Sequence, residues 1–173
     1  MHRREARVTA ALPAEVPAAR LLGCYDDGEW VALVLEDIQG RHPTTPWVPE
    51  ELDWILTVLK DLAGLLTPPP LPDVESAADF LAENFGGWHR IAADPPTDLH
   101  PWTAQHLDEL RRLAEQGLAA LTGDTLVHTD IRADNILLSP QGRITIVDWP
   151  WACRGPAWLD TLLLLINARL YGR

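Results

Sequence analysis

The sequence predicts an α+β domain in which helices dominate and short strands carry polar loops. Three observations carry that expectation. Leucine-rich segments recur at helical spacing, a hairpin signal lies near the start, and after Gly123 the apolar period switches from that of helices to that of short strands.

Residues 3 to 12 read as a short helix ended by Pro13. Leu21 to Tyr25 and Trp30 to Leu35 are strand-like, and Asp26-Asp27-Gly28 supplies the turn between them. Glu36 to Pro46 is a connector. Pro49 suits the first turn of a helix whose apolar face is Leu52, Ile55, Leu56, Leu59, Leu62, Leu65 and Leu66. A stiff Pro-rich loop follows, helical pattern resumes from Glu75 to Asn84, and Gly86-Gly87 is expected to end it. Another amphipathic helix directs Leu107, Leu110, Leu113, Leu118 and Leu121 inward, with Gly123 as its stop. Thr125 to Val127, Ile136 to Leu138 and Arg143 to Val147 then read as three short strands. A Trp- and Pro-rich loop leads into a last helix from about Ala157.

At 173 residues, with 47% apolar and 23% charged residues, the chain has enough core for one domain or two small lobes. That excludes disorder over the whole length. The richest apolar run, Leu162 to Ile166, falls far short of the ~20 residues a membrane helix needs. The basic start, Met1 to Arg4, is followed by Glu5 and Arg7 rather than by the apolar core of a signal peptide. Cys24 and Cys153 form no metal-binding spacing, so idle thiols in a reducing cytoplasm are expected. A net charge of −11 argues against nucleic-acid or anionic-membrane partners. Between residues 44 and 100, ten carboxylates face only Lys60 and Arg90. Either that stretch is a solvated acidic face, or it attracts a cationic substrate.

The chemistry concentrates in the polar run after the first short strand. His128, Asp130 and Asn135 form H-x-D-x-x-x-x-N between two apolar strands, and Asp148 ends the next strand after Ile146-Val147. Phosphoryl transfer needs a carboxylate to orient the attacking hydroxyl and accept its proton. It also needs oxygen ligands for the magnesium ion that neutralises the phosphates. A loop starting at one strand end can aim Asp130 at the acceptor and return Asn135 toward the metal, and the neighbouring hairpin can bring Asp148 to the same point. This is the order of catalytic loop and metal-binding Asp in protein kinases. A bland reading stands beside it: Asp130 and Asn135 could make only local loop hydrogen bonds. A His at this motif position holds the loop rather than moving protons.

The stretch LVHTDIRADNILLSPQGRITIVDWPWACRGPAWLDTLLLL closely resembles the aminoglycoside phosphotransferase family, a branch of the protein-kinase-like fold. Upstream, REARVTAAL resembles the helix that carries the Glu partner of the ATP-binding lysine, with Glu5 in that place, and LVLEDIQG resembles the strand and hinge that hold adenine. The resemblance implies ATP and Mg²⁺ as cofactors and a hydroxyl of a small molecule as acceptor. It implies Asp130 as catalytic base and Asn135 and Asp148 as metal ligands. The backbone of Glu36 and Ile38 would pair with adenine, His128 and Arg132 would support the loop, and Asp160 would brace it. For Asp160 the alternative is a plain carboxylate in a helix's first turn.

The departures matter equally. No G-x-G-x-x-G precedes the hinge. The sole lysine, Lys60, follows the hinge on an amphipathic helix, leaving Arg3, Arg4 or Arg7 as the cations that could replace the phosphate-binding lysine. The chain therefore reads as the middle of such a kinase: a small-lobe remnant of helix plus hairpin and a hinge over 1–40, and a mainly helical large lobe over 41–173. The activity implied is ATP- and Mg²⁺-dependent phosphorylation of a small molecule. A catalytically impaired form serving as a scaffold is the alternative, because each missing phosphate donor costs about 10²–10³ in rate.

Overall fold

The computed structural model describes residues 1–171. Helix α1 (His2–Ala11) ends where Leu12 turns extended before Pro13. Strands β1 (Leu21–Asp26) and β2 (Val31–Leu35) pair antiparallel, with Cys24 opposite Leu33 and Asp26 opposite Val31. Carboxylates hold their turn. Asp26 accepts from the Gly28 N–H at 2.9 Å, and Asp27 accepts from Glu29 and Trp30 at 3.0 and 2.7 Å. Gly28 sits at φ +94°, which a side chain would resist. Arg3 fastens α1 to this hairpin through two bonds to Asp26 at 2.7 and 2.8 Å, and the guanidinium holds that carboxyl down at about 2. Two strands cannot bury both of their faces, so Leu22, Tyr25, Trp30 and Val34 remain exposed.

Helix α2 (Pro49–Leu65) starts on Pro49 and buries Ile55, Leu59 and Leu62, followed by Leu66. Leu65, expected inward, is 43% exposed, because the buried stripe is narrower than the leucine spacing suggested. Lys60 is exposed on the same helix. Helix α3 (Ala77–Phe85) is capped by Ser76, whose hydroxyl accepts from the Asp79 N–H at 3.0 Å. Gly86-Gly87 does not end the helical run. Gly86 keeps a right-handed helical backbone, and a short helix α4 (Gly87–Ala93) continues from it. Helix α5 (Pro101–Ala119) turns Ala114 inward, whereas Leu113 is exposed.

Strands β3 (Thr125–Val127), β4 (Ile136–Leu138), β5 (Ile144–Ile146) and β6 (Cys153–Gly155) precede helix α6 (Leu159–Tyr171). Strand β6 lies in a stretch that reads from sequence as loop, yet it is the antiparallel partner of β3, with Leu126 opposite Arg154. Strands β4 and β5 form a separate hairpin, gripped from both sides. The Ile146 N–H donates to the Pro17 carbonyl at 2.7 Å, while Leu138 and Arg41 exchange both backbone bonds at 2.7 and 3.0 Å. The residues before β1 and after β2 therefore hold the hairpin that carries the polar loop.

One apolar core joins these parts. Val8 and Val16 pack with Ile55, Leu66, Leu126, Ile136, Trp149 and Leu164, and a smaller cluster gathers Ala77, Leu121, Val127 and Leu159. Cys24 is exposed and Cys153 buried, neither disulfide-bonded, and burial pushes the Cys153 thiol up to about 12. Among the described residues no helix is long and apolar enough to cross a membrane.

Gly123 has a different role from the helix stop that its position suggests. α5 has already ended at Ala119, and a Cβ on Gly123 would lie 2.3 Å from the Gly155 carbonyl oxygen and 2.4 Å from the Pro156 Cα. Backbone meets backbone there, beside the β3–β6 pair that leads into His128. Gly123→Ala is expected to lower the unfolding free energy by about 1–3 kcal/mol or more, measured by urea denaturation, because the strands must separate to admit the methyl.

Candidate active site

Strand β3 delivers the chain to His128, which is fully buried. Both ring nitrogens are committed. Nε2–H donates to the Val147 carbonyl at 2.9 Å, and Nδ1 accepts from the Asp130 N–H at 3.2 Å. That pattern requires the neutral tautomer protonated on Nε2. Burial pulls the His128 pKa below its ordinary 6.5, opposed by the nearby Asp160 carboxylate. The ring faces Trp149 edge-on, with centroids 4.7 Å apart. His128 ties the loop to strand β5 and has no nitrogen left for proton transfer.

Asp160 stands in the first turn of α6, across the core. Its carboxylate accepts from the backbone N–H of His128 at 2.8 Å and of Thr129 at 2.9 Å. Burial raises its pKa, and the two N–H donors oppose that rise by favouring the ionised form. Thr129 has φ +66°, an uncommon conformation for a β-branched residue, and it directly precedes Asp130. Its hydroxyl donates to the Trp151 carbonyl at 2.7 Å. The strained residue is therefore held at its amide and at its side chain.

Asp130 and Asn135 meet across the loop. A 3₁₀ turn, Ala133–Asn135, brings the Asn135 amide back so that its nitrogen donates to the Asp130 carbonyl at 2.8 Å and to Asp130 Oδ2 at 3.1 Å. Both amide protons are then spent, and Asn135 Oδ1 remains an acceptor. Arg132 Nε lies 3.3 Å from Asp130 Oδ1, and its Nη2 pairs with Asp134 at 3.1 Å. The Val147 N–H donates to the Asn135 carbonyl at 3.0 Å while the Val147 carbonyl serves His128. Asp148 follows immediately, at φ +67°. Asn135 and Asp148 both carry side-chain oxygens, the donor type that a hard cation such as Mg²⁺ takes. Among the described residues no three His, Cys, Asp or Glu side chains come close enough to cage an ion.

The remaining sequence-derived residues lie on other elements. Glu5 is buried on α1, and His2 Nδ1 lies 3.6 Å from its carboxylate. Glu36 and Ile38 follow β2 and line a cleft of about 840 Å³ with Arg20, Trp54 and Arg143. The Glu36 carboxylate accepts from Arg20 Nε at 3.1 Å. Asp130 opens instead on a recess of about 250 Å³ walled by Leu163, Ile166 and Asn167 of α6. The arginines of α1 are already engaged: Arg3 with Asp26 at 2.7 Å, Arg4 with Glu75 at 3.1 Å, Arg7 with Asp73 at 3.9 Å. Trp149 is buried, whereas Trp151 and Trp158 are exposed.

A model of the phosphotransferase enzyme family matches residues 1–172. The chain belongs to that family. Solved structures show the same fold. The chain is similar to an aminoglycoside phosphotransferase from Alicyclobacillus acidocaldarius, with 18% identity and TM-score 0.65 over 98% of this chain and 58% of that one. It is similar to the choline kinase LicA from Streptococcus pneumoniae, with 18% identity and TM-score 0.64 over 98% of this chain and 57% of that one. A third is a thermostable mutant of aminoglycoside phosphotransferase APH(4)-Ia in ternary complex with ADP and hygromycin B, with 20% identity and TM-score 0.60 over 92% of this chain and 59% of that one. The fold of this phosphotransferase-family chain is therefore protein-kinase-like, and the chain spans less than three-fifths of the length of these relatives.

Two consequences can be measured. Asp160→Ala leaves one buried and one half-buried N–H donor without an acceptor, so a loss of about 2–4 kcal/mol in unfolding free energy is expected, and Asp160→Asn, which keeps one acceptor oxygen, loses less. The second concerns pH. An unfolded chain takes up a proton on His128 near 6.5, whereas the buried native ring does not until lower pH. Stability from this ring is present above 6.5 and falls as pH drops below it, by up to about 1.4 kcal/mol per unit. An Asp160→Asn variant removes the opposing carboxylate, and an unfolding midpoint in it that does not fall from about pH 7.5 to about pH 5.5 would contradict that account.

Proposed function

We propose that the chain works as a phosphotransferase that uses ATP and Mg²⁺ to phosphorylate a hydroxyl of a small molecule. The observation that carries this reading is the closed loop from His128 to Asn135. It presents the Asp130 carboxylate against the Asn135 amide nitrogen, one main-chain hydrogen bond from the segment that leads into Asp148. In this reading Asn135 and Asp148 hold the metal, and the backbone of Glu36 and Ile38 meets adenine. Bound Mg²⁺ supplies charge neutralisation on the phosphates.

Asp130 accepts the proton of the acceptor hydroxyl from the recess along α6, a cavity that Asp130 itself lines. Asn135 keeps Oδ2 of that carboxylate oriented, Arg132 flanks Oδ1, and His128 holds the backbone beneath it. Among the similar structures, one protein is a choline kinase and another is solved with hygromycin B. Their acceptors differ while the fold is shared, so only the class, a small-molecule alcohol, is carried to this chain.

A second reading, a nucleotide-binding scaffold with little turnover, is favoured by the placement of cations. The only lysine is exposed on α2, and the α1 arginines answer carboxylates. Substitution separates the two. If the chain is a kinase, Asp130→Asn keeps the fold and nucleotide affinity but lowers turnover by roughly 10²-fold or more, since an amide cannot take the hydroxyl proton. Asp148→Asn instead weakens nucleotide binding only when Mg²⁺ is present. Nucleotide consumption with a panel of alcohols and calorimetric titration with and without Mg²⁺ measure both. Loss of stability in both variants, with no separate effect on rate or metal dependence, would favour the scaffold.

A further inference from the structure

Arg4 connects two parts of the molecule that are 148 residues apart in sequence. Its Nη2–H donates to the Ala152 carbonyl at 2.8 Å, its Nη1 pairs with Glu75 at 3.1 Å, and its guanidinium lies 5.3 Å from the Phe80 ring centre. Ala152 is fully buried and closes the tight turn after Asp148, its own N–H donating to the Trp149 carbonyl at 3.2 Å. Phe80 in turn packs against Trp151 with centroids 6.0 Å apart, and the Trp151 carbonyl accepts the hydroxyl of the strained Thr129. One guanidinium therefore faces a continuous path of contacts from α1, through the turn after Asp148, to the residue before Asp130.

We propose that Arg4 is a positioning residue: it pins helix α1 to the turn of residues 149–152 and thereby fixes where Asp148 presents its carboxylate. This rests on the reading of Asp148 as a metal ligand. The planar fork suits the task, because one face meets an aromatic ring while separate nitrogens reach a carbonyl and a carboxylate. A lysine could reach the Ala152 carbonyl but could not serve all three at once. Arg7, one turn further along α1, pairs instead with the exposed Asp73 at 3.9 Å.

The test uses the whole chain and two independent readouts. Calorimetry gives the ratio of ADP affinities with and without Mg²⁺, a quantity that a general loss of stability does not change in a folded sample. Hydrogen exchange without nucleotide reports on the amides of 149, 151–153 and 128–130, residue 150 being proline. Arg4→Ala should reduce the Mg²⁺-dependent ratio about tenfold, as loss of a supporting partner at a metal site does. It should speed exchange at those amides while leaving α2 and α5 protected. Arg4→Lys should fall between Arg4→Ala and the parent, and Arg112→Ala, at an exposed α5 arginine paired with Glu109, should match the parent in both readouts. Unchanged exchange in Arg4→Ala overturns the proposal, whatever nucleotide does. Faster exchange with an unchanged Mg²⁺ ratio also overturns it, since Arg4 would then be merely structural. If the parent chain shows no Mg²⁺-dependent ADP binding, the reading of Asp148 as a metal ligand fails, while exchange still decides whether Arg4 holds the turn.

Discussion

The loop that carries Asp130 keeps its shape because a carboxylate on another element accepts its first two amide protons. Asp160 receives the N–H groups of His128 and Thr129 from the opening turn of α6. A buried ion is costly unless every lone pair aimed inward finds a donor, and here two charge-assisted bonds offset that cost. The same two bonds hold Thr129 at a positive φ, a conformation that a β-branched residue does not keep unaided. Everything downstream follows from that turn of the backbone. It lets the His128 ring accept from the Asp130 N–H and brings the Asp130 side chain within reach of Asn135.

The hairpin beneath the loop depends on its neighbours in a similar way. Strands of three residues are too short to persist alone. Strands β4 and β5 survive because Arg41 pairs with one edge and Pro17 accepts from the other. These partners flank the β1–β2 hairpin in sequence, so the segments on either side of that hairpin also complete the sheet supporting the site. A shared apolar core, with Val8 and Val16 packed against Ile136 and Leu126, binds the two parts further.

The acidic stretch between residues 44 and 100 looks different once partners are visible. Glu51 pairs with Arg41, Glu75 with Arg4 and Asp73 with Arg7. Part of the negative charge thus answers arginines after β2 and on α1. These pairs are largely exposed, and each is worth little by itself. Their geometric effect is larger: Glu75 orients Arg4, which meets the main chain after Asp148.

Elements with strong local signals were legible in the sequence: α1, the Asp26–Gly28 turn, α2 from its proline, and the H-x-D-x-x-x-x-N run with a strand-terminal Asp following it. Periodicity, turn residues and a motif of fixed spacing are properties of neighbouring residues, so they survive without the fold. The sequence misplaced Leu65 and Leu113, missed α4 and β6, and read Gly123 as a helix stop. Each depends on what packs alongside: β6 exists because β3 lies next to it, and Gly123 is glycine because the Gly155 backbone crosses it. Arg4 carried no local signal at all, since its partners are Ala152, Glu75 and Phe80. By itself the sequence determined which residues could carry phosphoryl-transfer chemistry, because those types and spacings are set along the chain. Only the tertiary structure decided which backbone amides Asp160 receives, which carbonyl Arg4 reaches and which edges hold the β4–β5 hairpin, because those bonds join segments that come together only when the core closes.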